Sequence, residues 1–297
     1  MAGDYVVVEL QGRLGNQLFQ FASGYGIARR RNAWLRFSSR RVAGDDLRLP
    51  ELVGAAYCEA TTGELVRVGA YPDAAPGARA LRGAVLRGAR LERRLRRRTP
   101  PSVVVWEDTG RYRPEVLTVD LPVRLVGHLQ SERYFVDVAD EVRAAIHLPA
   151  PPVIGSASRP TVAVSFRRGD YNTLGWALPL DYYDRAMALV AERVGPATVV
   201  CFGDDPAFVA LIGERLAAYG EVVDAVALAP DAVAQLALMR ACDHHVIANS
   251  SFAWWGAWLG DGGEPSARLV VAPEEFAGGG DRLPERWTTL PSGTARF

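Results

Sequence analysis

The chain has 297 residues, 49% hydrophobic and 23% charged, which suits a soluble globular protein of one or two domains with ample material for a core. Lys plus Arg and Asp plus Glu number 34 each, a formal net charge of zero, so no global field points to nucleic acid. All the Lys-plus-Arg positions are arginine; with so much Ala, Gly and Pro this reads as coding bias rather than as a binding surface.

Cys58, Cys201 and Cys242 are scattered without metal-type spacing, and an odd number in apolar runs suggests a reduced, cytoplasmic compartment. Met1-Ala2-Gly3-Asp4 leads straight into a strand pattern, with no basic-then-apolar secretory signal. The apolar runs fall far short of the ~20 residues of a membrane-spanning helix.

A strand is expected from Tyr5 to Leu10, then a glycine loop, Gln11 to Gln17, then a helix from Leu18 to about Arg30. Glycines let the backbone turn tightly and approach a ligand, and helix-start amides favour an anion or an oxygen-rich group. A tight turn without ligand explains the same residues, and the spacing Gly12-x-x-Gly15 is not the dinucleotide fingerprint. Residues 40–75 alternate short apolar runs with Gly and Pro and give no clear element. Residues 81–98 read as a basic amphipathic helix, weakened by Gly83 and Gly88. Such a segment can lie on an anionic membrane surface or an acidic partner; a solvated helix face is the commoner explanation.

Pro100-Pro101 ends that helix. Strands are expected at Val103–Trp106 and from Arg124, with a helix from Val136 to Ile146. A Pro-, Ala- and Ser-rich stretch near 150–160 marks a boundary between an N-terminal domain, 1–155, and a C-terminal domain, 156–275. The segment 276–297 is expected to pack back toward the N-terminal domain.

The second half alternates cleanly. Strands are expected at Thr161–Phe166, Thr198–Phe202, Glu221–Ala225, His245–Ala248 and Arg268–Ala272. Helices are expected at Leu180–Arg193, Ala207–Tyr219, from Asp231 to Ala241, and at Phe252–Leu259. That alternation means an α/β chain with parallel sheets covered on both faces.

Three polar clusters close successive strands: Arg167-Arg168-Gly169-Asp170, Gly203-Asp204-Asp205 and Asn249-Ser250-Ser251. In a parallel sheet they fall at one edge, where such sheets bind ligands. The arginine forks match diphosphate oxygens. Asp170 can orient one arginine. Asn249, Ser250 and Ser251 offer hydrogen-bonding groups and helix-start amides, and Asp204 or Asp205 can accept from a ribose or base. Taken singly, an ion pair at a strand end or an ordinary helix start explains each cluster. Trp254 and Trp258 share a helix face and read as core packing. His244 and His245 read as structural, because no further ligands stand at zinc spacing. No Walker loop and no Ser-His-Asp arrangement is present.

Gly12-Arg13-Leu14-Gly15-Asn16-Gln17-Leu18-Phe19-Gln20, Gly127-x-x-Gln130-Ser131-Glu132-Arg133-Tyr134-Phe135, Arg167-Arg168-Gly169-Asp170-Tyr171, Phe202-x-Asp204-Asp205 and Asn249-Ser250-Ser251-Phe252-x-Trp254-Trp255 together resemble the α-1,2-fucosyltransferases, glycosyltransferase family 11. The resemblance implies a GT-B-type fold of two Rossmann-like domains, 1–155 on the acceptor side and 156–275 binding the nucleotide sugar. It implies inverting, metal-independent transfer of L-fucose from GDP-β-L-fucose to the 2-hydroxyl of a terminal galactose, on a bacterial oligosaccharide or lipid-linked glycan.

Arg167, Arg168 and Asp170 are the expected catalytic residues. Gly15, Asn16, Gln17, Ser165, Arg168, Asp204, Asp205, Asn249, Ser250, Ser251 and Phe252 are the expected donor-binding residues, with no metal ligand and no cofactor. The family pattern His-x-Arg-Arg-Gly-Asp has Ser165 at its histidine, which leaves two alternatives: another nucleotide-linked deoxysugar as donor, or a silent nucleotide- or glycan-binding protein. The general base is open among Asp170, Asp108 and Glu107, candidates by charge alone. A cytoplasmic protein with peripheral membrane contact through 81–98 completes the expectation.

Overall fold

The computed structural model describes residues 4–42, 44–70, 102–105, 111–154, 159–262, 268–276 and 281–293. The basic 81–98 segment and the base candidates Glu107 and Asp108 lie outside the described residues. The chain divides into two compact units, Met1–Ile146 and His147–Phe297.

The first unit begins with β1, Tyr5–Glu9, buried throughout. A β-branched run covered on both faces is what a central parallel strand requires. Helix α1 follows at Leu14–Arg30, then β2 at Trp34–Ser38. Short helices α2, Leu49–Val53, and α3, Thr62–Arg67, come next. Strands β3, Ser102–Val105, and β4, Val123–Val126, precede helix α4, Ala139–Ala145. All strand pairs are parallel, in the order β2-β1-β4-β3.

α1 starts four residues before the expected Leu18, so Gly15, Asn16 and Gln17 form its first turn rather than a loop. Leu14, Leu18, Phe21 and Ala22 are buried along one face, and that burial outweighs the ~1 kcal/mol a helical glycine costs.

The second unit opens with β5, Thr161–Phe166, and a short helix α5, Gly169–Leu174; Gly175, left-handed at φ 69°, ends it. Helix α6, Leu180–Val194, buries Tyr182, Tyr183, Ala186, Met187 and Val190 on one face, as its 3.6-residue pattern demands. The chain continues through β6, Thr198–Gly203; α7, Pro206–Leu216; β7, Val222–Asp224; and a short α8, Ala225–Leu228. Then come α9, Ala232–Ala241; β8, His244–Val246; α10, Ser251–Gly260; β9, Val270–Pro273; and β10, Thr288–Leu290. The order is β10-β9-β8-β5-β6-β7, again wholly parallel. Of the segment 276–297, residues Thr288–Leu290 pair with β9 as an edge strand of this sheet.

The chain is therefore α/β, with two Rossmann-like units of the GT-B type. Asp231 caps α9 through the amides of Val233 and Ala234, as expected. Trp254, Trp255 and Trp258 are fully buried and packed on one another. Among the described residues, no helix is long and apolar enough to cross a membrane.

Candidate active site

In the second sheet, β5 lies between β8 and β6. The three polar clusters that follow these strands therefore fall at the carboxyl edge, and Asp204 joins the first two. Its Oδ2 lies 2.5 Å from Arg167 Nη1. Its Oδ1 accepts from the amide of Arg168 at 2.8 Å and of Gly169 at 3.4 Å. A Cβ at residue 169 would sit 2.8 Å from Asp204 Oδ2. Only glycine lets the carboxylate approach so closely.

The neighbouring arginines differ. Arg167 stands between two carboxylates, with Asp170 Oδ1 accepting from its Nη2 at 2.6 Å. Its charge is largely compensated and its direction is set. Arg168 lies with its guanidinium 4.4 Å from the Phe208 ring centroid, and its Nη1 donates to Leu178 O at 3.2 Å. Among the described residues no carboxylate is within ion-pair distance of it. Arg168 is thus a fixed, partly exposed guanidinium whose charge is available to an anion.

The residues after β8 close the other side. Tyr171 donates its hydroxyl to Asn249 O at 3.3 Å, and Asn249 Nδ2 donates to Trp176 O at 2.9 Å. Asn249 is buried, and its Oδ1 has no hydrogen-bond partner among the described residues. Its amide nitrogen braces the loop after α5, and its oxygen is left as an acceptor. Burial raises the Tyr171 hydroxyl above the usual tyrosine range, so it stays a neutral donor.

Ser165 is buried, and its Oγ accepts from the amide of Ala248 at 2.8 Å. It ties the end of β5 to the loop that presents Asn249, a bracing role at the place of the family histidine. Asp205 caps α7 through the Phe208 amide at 3.1 Å, so its carboxylate serves the helix start and Asp204 serves the arginines. Ser250 is the residue before α10, and its side chain makes no cap hydrogen bond. Ser251 and Phe252 form the first turn of α10, each half-buried.

The other expected donor-binding residues lie in the first unit. Gly12 has φ +73°, and a Cβ there would meet Asn16 Nδ2 at 2.4 Å. Asn16 Oδ1 accepts from Gln130 Nε2 at 2.7 Å. Gln17 is fully buried. Its Nε2 donates to Gly12 O and Asp46 O, and its Oε1 accepts from the amides of Arg48 and Leu49. Every polar atom of that side chain is engaged by backbone. Gln20, a few residues on, bridges the Gln11 amide and Gly127 O.

His244 and His245 are structural, as expected. His245 is fully buried with Nε2 on Met239 O at 2.8 Å, and burial drives its pKa down to about 4. His244 Nδ1 accepts from the Leu269 amide at 3.0 Å. Burial pushes the Cys201 and Cys242 thiols up to about 12, which makes them inert packing groups.

Residues the sequence did not single out complete the site. Phe208 supports Arg168, and Trp176 packs edge-on against Tyr171 at 5.5 Å between centroids. Their only sequence signal was position, one in the first turn after Asp204-Asp205 and the other in the segment after Asp170.

The sequence model of glycosyl transferase family 11 matches residues 117–273, more than half of the chain. The chain belongs to glycosyl transferase family 11. The match runs across β4, β5, β6 and β8 and so contains the whole Arg167–Asp204–Asn249 cluster. The α-1,2-colitosyltransferase of Escherichia coli is 26% identical over 304 aligned positions, covering 96% of this chain and 98% of that one. The O-antigen biosynthesis glycosyltransferase WbnK, also of Escherichia coli, is 30% identical over 128 residues, 41% of each chain. Among solved structures, a mutant of Arabidopsis thaliana FUT1 in complex with GDP superimposes with a TM-score of 0.54 at 13% identity, covering 98% of this chain and 73% of that one. That likeness is one of fold. The chain is a family 11 glycosyltransferase.

Proposed function

We propose that the protein is an inverting transferase that moves L-fucose from GDP-β-L-fucose to the 2-hydroxyl of a terminal galactose on a glycan, in α-1,2 linkage. The observation that carries the proposal is Arg168, a guanidinium held in place yet facing no carboxylate, beside an Arg167 fixed by Asp170 and Asp204. A departing diphosphate supplies the missing negative charge. The bond between the sugar C1 and the phosphate oxygen breaks, and its electron pair stays on the diphosphate. The acceptor oxygen attacks C1 from the opposite face, which inverts it, and its proton passes to a base, for which Asp170 is the described candidate, or to water. Positive charge already in place where negative charge develops is the largest rate term to expect. Asn249, with its buried acceptor oxygen, and the helix-start residues Ser250 and Ser251 complete the donor side.

A second donor has a specific observation in its favour. The relative that aligns over almost the whole chain is named a colitosyltransferase. Colitose is fucose without its 3-hydroxyl, and Ser165 replaces the family histidine. The same cluster would then take a nucleotide-linked dideoxysugar.

The test is to incubate the purified protein with GDP-fucose or GDP-colitose, a galactose-terminated acceptor and a chelator, and to follow product by mass spectrometry. Transfer from GDP-fucose that survives the chelator, with a product sensitive to an α-1,2-fucosidase, is the expected result. Transfer from GDP-colitose alone moves the assignment to the second donor. Neither transfer nor donor hydrolysis makes it a silent binding protein. The location proposed is cytoplasmic, with the basic 81–98 segment against the inner membrane face. Deleting residues 87–98 should lower binding to anionic vesicles.

A further inference from the structure

The amino-terminal edge of the first sheet carries a cleft that the transfer reaction does not use. β1 and β2 begin side by side, with Tyr5 in register with Trp34. Side chains alternate along a strand, so Trp34 and Arg36 leave β2 on the same face. Among the described residues the cover beside the edge strand β2 is α3, of six residues. There remains a cleft of about 360 Å³, lined among others by Tyr5, Trp34, Arg36, Thr61, Glu64 and Arg67.

Trp34 is 64% exposed. Tryptophan is enriched where one end of the side chain is apolar and the other is wet, as at binding surfaces. Its surroundings are fixed. The Arg36 guanidinium lies 5.6 Å from the ring centroid and pairs with Glu64 Oε1 at 3.0 Å. Glu64 is itself held by the amide and hydroxyl of Thr61, at 2.8 and 2.9 Å. Tyr5 donates its hydroxyl to Glu64 O at 3.2 Å.

The cleft thus joins a rigid aromatic surface to guanidinium forks and a carboxylate. A pyranose ring has the matching shape of chemistry, an apolar C–H face and a rim of hydroxyls that both donate and accept. A phosphate fits poorly, because Glu64 stands in the cleft and neutralises Arg36.

We propose that this cleft is a second saccharide subsite, which holds a hexose of the acceptor glycan away from the reacting sugar. The identity of the ligand as acceptor glycan rests on the transferase function proposed above.

The experiment uses the full chain and a series of galactose-terminated N-acetyllactosamine oligomers, from disaccharide to octasaccharide. Binding without nucleotide is read by titration calorimetry, and transfer is read on the same series. Wild type should bind the octasaccharide about tenfold more tightly than the disaccharide, a difference of about 1.4 kcal/mol. Trp34→Ala should erase that gain and leave transfer to the disaccharide within about twofold; Trp34→Phe should keep part of the gain. Length-dependent binding that Trp34→Ala abolishes upholds the subsite even if no oligomer is fucosylated, an outcome that would overturn only the proposed transfer. Equal or undetectable binding at all lengths, a gain that survives Trp34→Ala, or an equal loss on short and long acceptors would overturn the subsite.

Discussion

Both units end their parallel strands in polar loops, and the two loops spend their polar atoms in opposite ways. After β1 and β4 the buried polar groups are neutral, while Arg13 beside Gly12 is exposed. Gln17, Gln20 and Ser23 are fully buried, and each is bonded to backbone. After β5 and β6 the groups are charged and partly exposed, and Arg168 keeps a charge that no described carboxylate balances. A buried amide with all its bonds made stabilises a loop and has nothing left to offer. A positioned guanidinium at the surface costs little to keep and can act on a ligand. One fold repeated twice thus yields a scaffold edge and a chemical edge.

The sharpest way to break that contrast is Arg168→Ala. Its transfer rate should fall ~10²–10³-fold, the usual cost of losing one preorganised donor to a developing anion. The thermal midpoint should stay put, since the side chain is partly exposed. Initial rates and a melting curve measure both, and a variant that keeps half the wild-type rate would sink the assignment.

The second sheet confines its charge to its edge, and the buried His245 tests this. Burial holds its folded pKa at about 4, below the ordinary imidazole value of 6.5. The unfolded chain therefore binds more protons between those values. Stability from this group is complete above pH 6.5 and is lost as pH falls toward 4, by about 3 kcal/mol in all. Urea titrations at stepped pH should show the decline, and His245→Gln should flatten it. An unchanged slope in that variant would assign the acid loss to other groups.

Gln17→Ala probes the scaffold edge. It strands the amides of Arg48 and Leu49 and removes two donations, which should cost about 1–3 kcal/mol of stability. The rate per folded molecule should change far less than for Arg168→Ala. A large rate loss with intact stability would make Gln17 part of the chemistry and erase the contrast between the two edges.

The smallest effect belongs to Ser165→Ala, which removes the acceptor of the Ala248 amide. About 1 kcal/mol should be lost, with a modest rise in donor KM as the Asn249 loop loosens. Comparing donor KM with kcat separates this bracing role from a direct one, which would lower kcat.

Much of the second unit was legible because its strands are short β-branched runs between capped helices. Thr161–Phe166 was read to the residue, and Asp231 announced α9. The first unit resisted. β2 went unread because Trp34-Leu35-Arg36-Phe37-Ser38 is an edge strand of mixed polarity, without the continuous apolar run of a central strand. Gly15 suggested a loop, although tertiary burial of Leu14 and Leu18 carries the helix through it. Asp204 and Asp205 looked equivalent side by side. Folding makes one the hub of the arginines and the other a helix cap.

By itself the sequence determined the α/β class, the family and the gathering of three polar clusters at one sheet edge. Periodicity, β-branching and motif order are local properties that any parallel arrangement must respect. Only the tertiary structure decided which polar atoms remain unspent. Whether Gln17 or Arg168 has anything left for a ligand depends on partners distant in the chain, such as Asp46, Leu49, Leu178 and Phe208. Spacing along the sequence does not encode those distances.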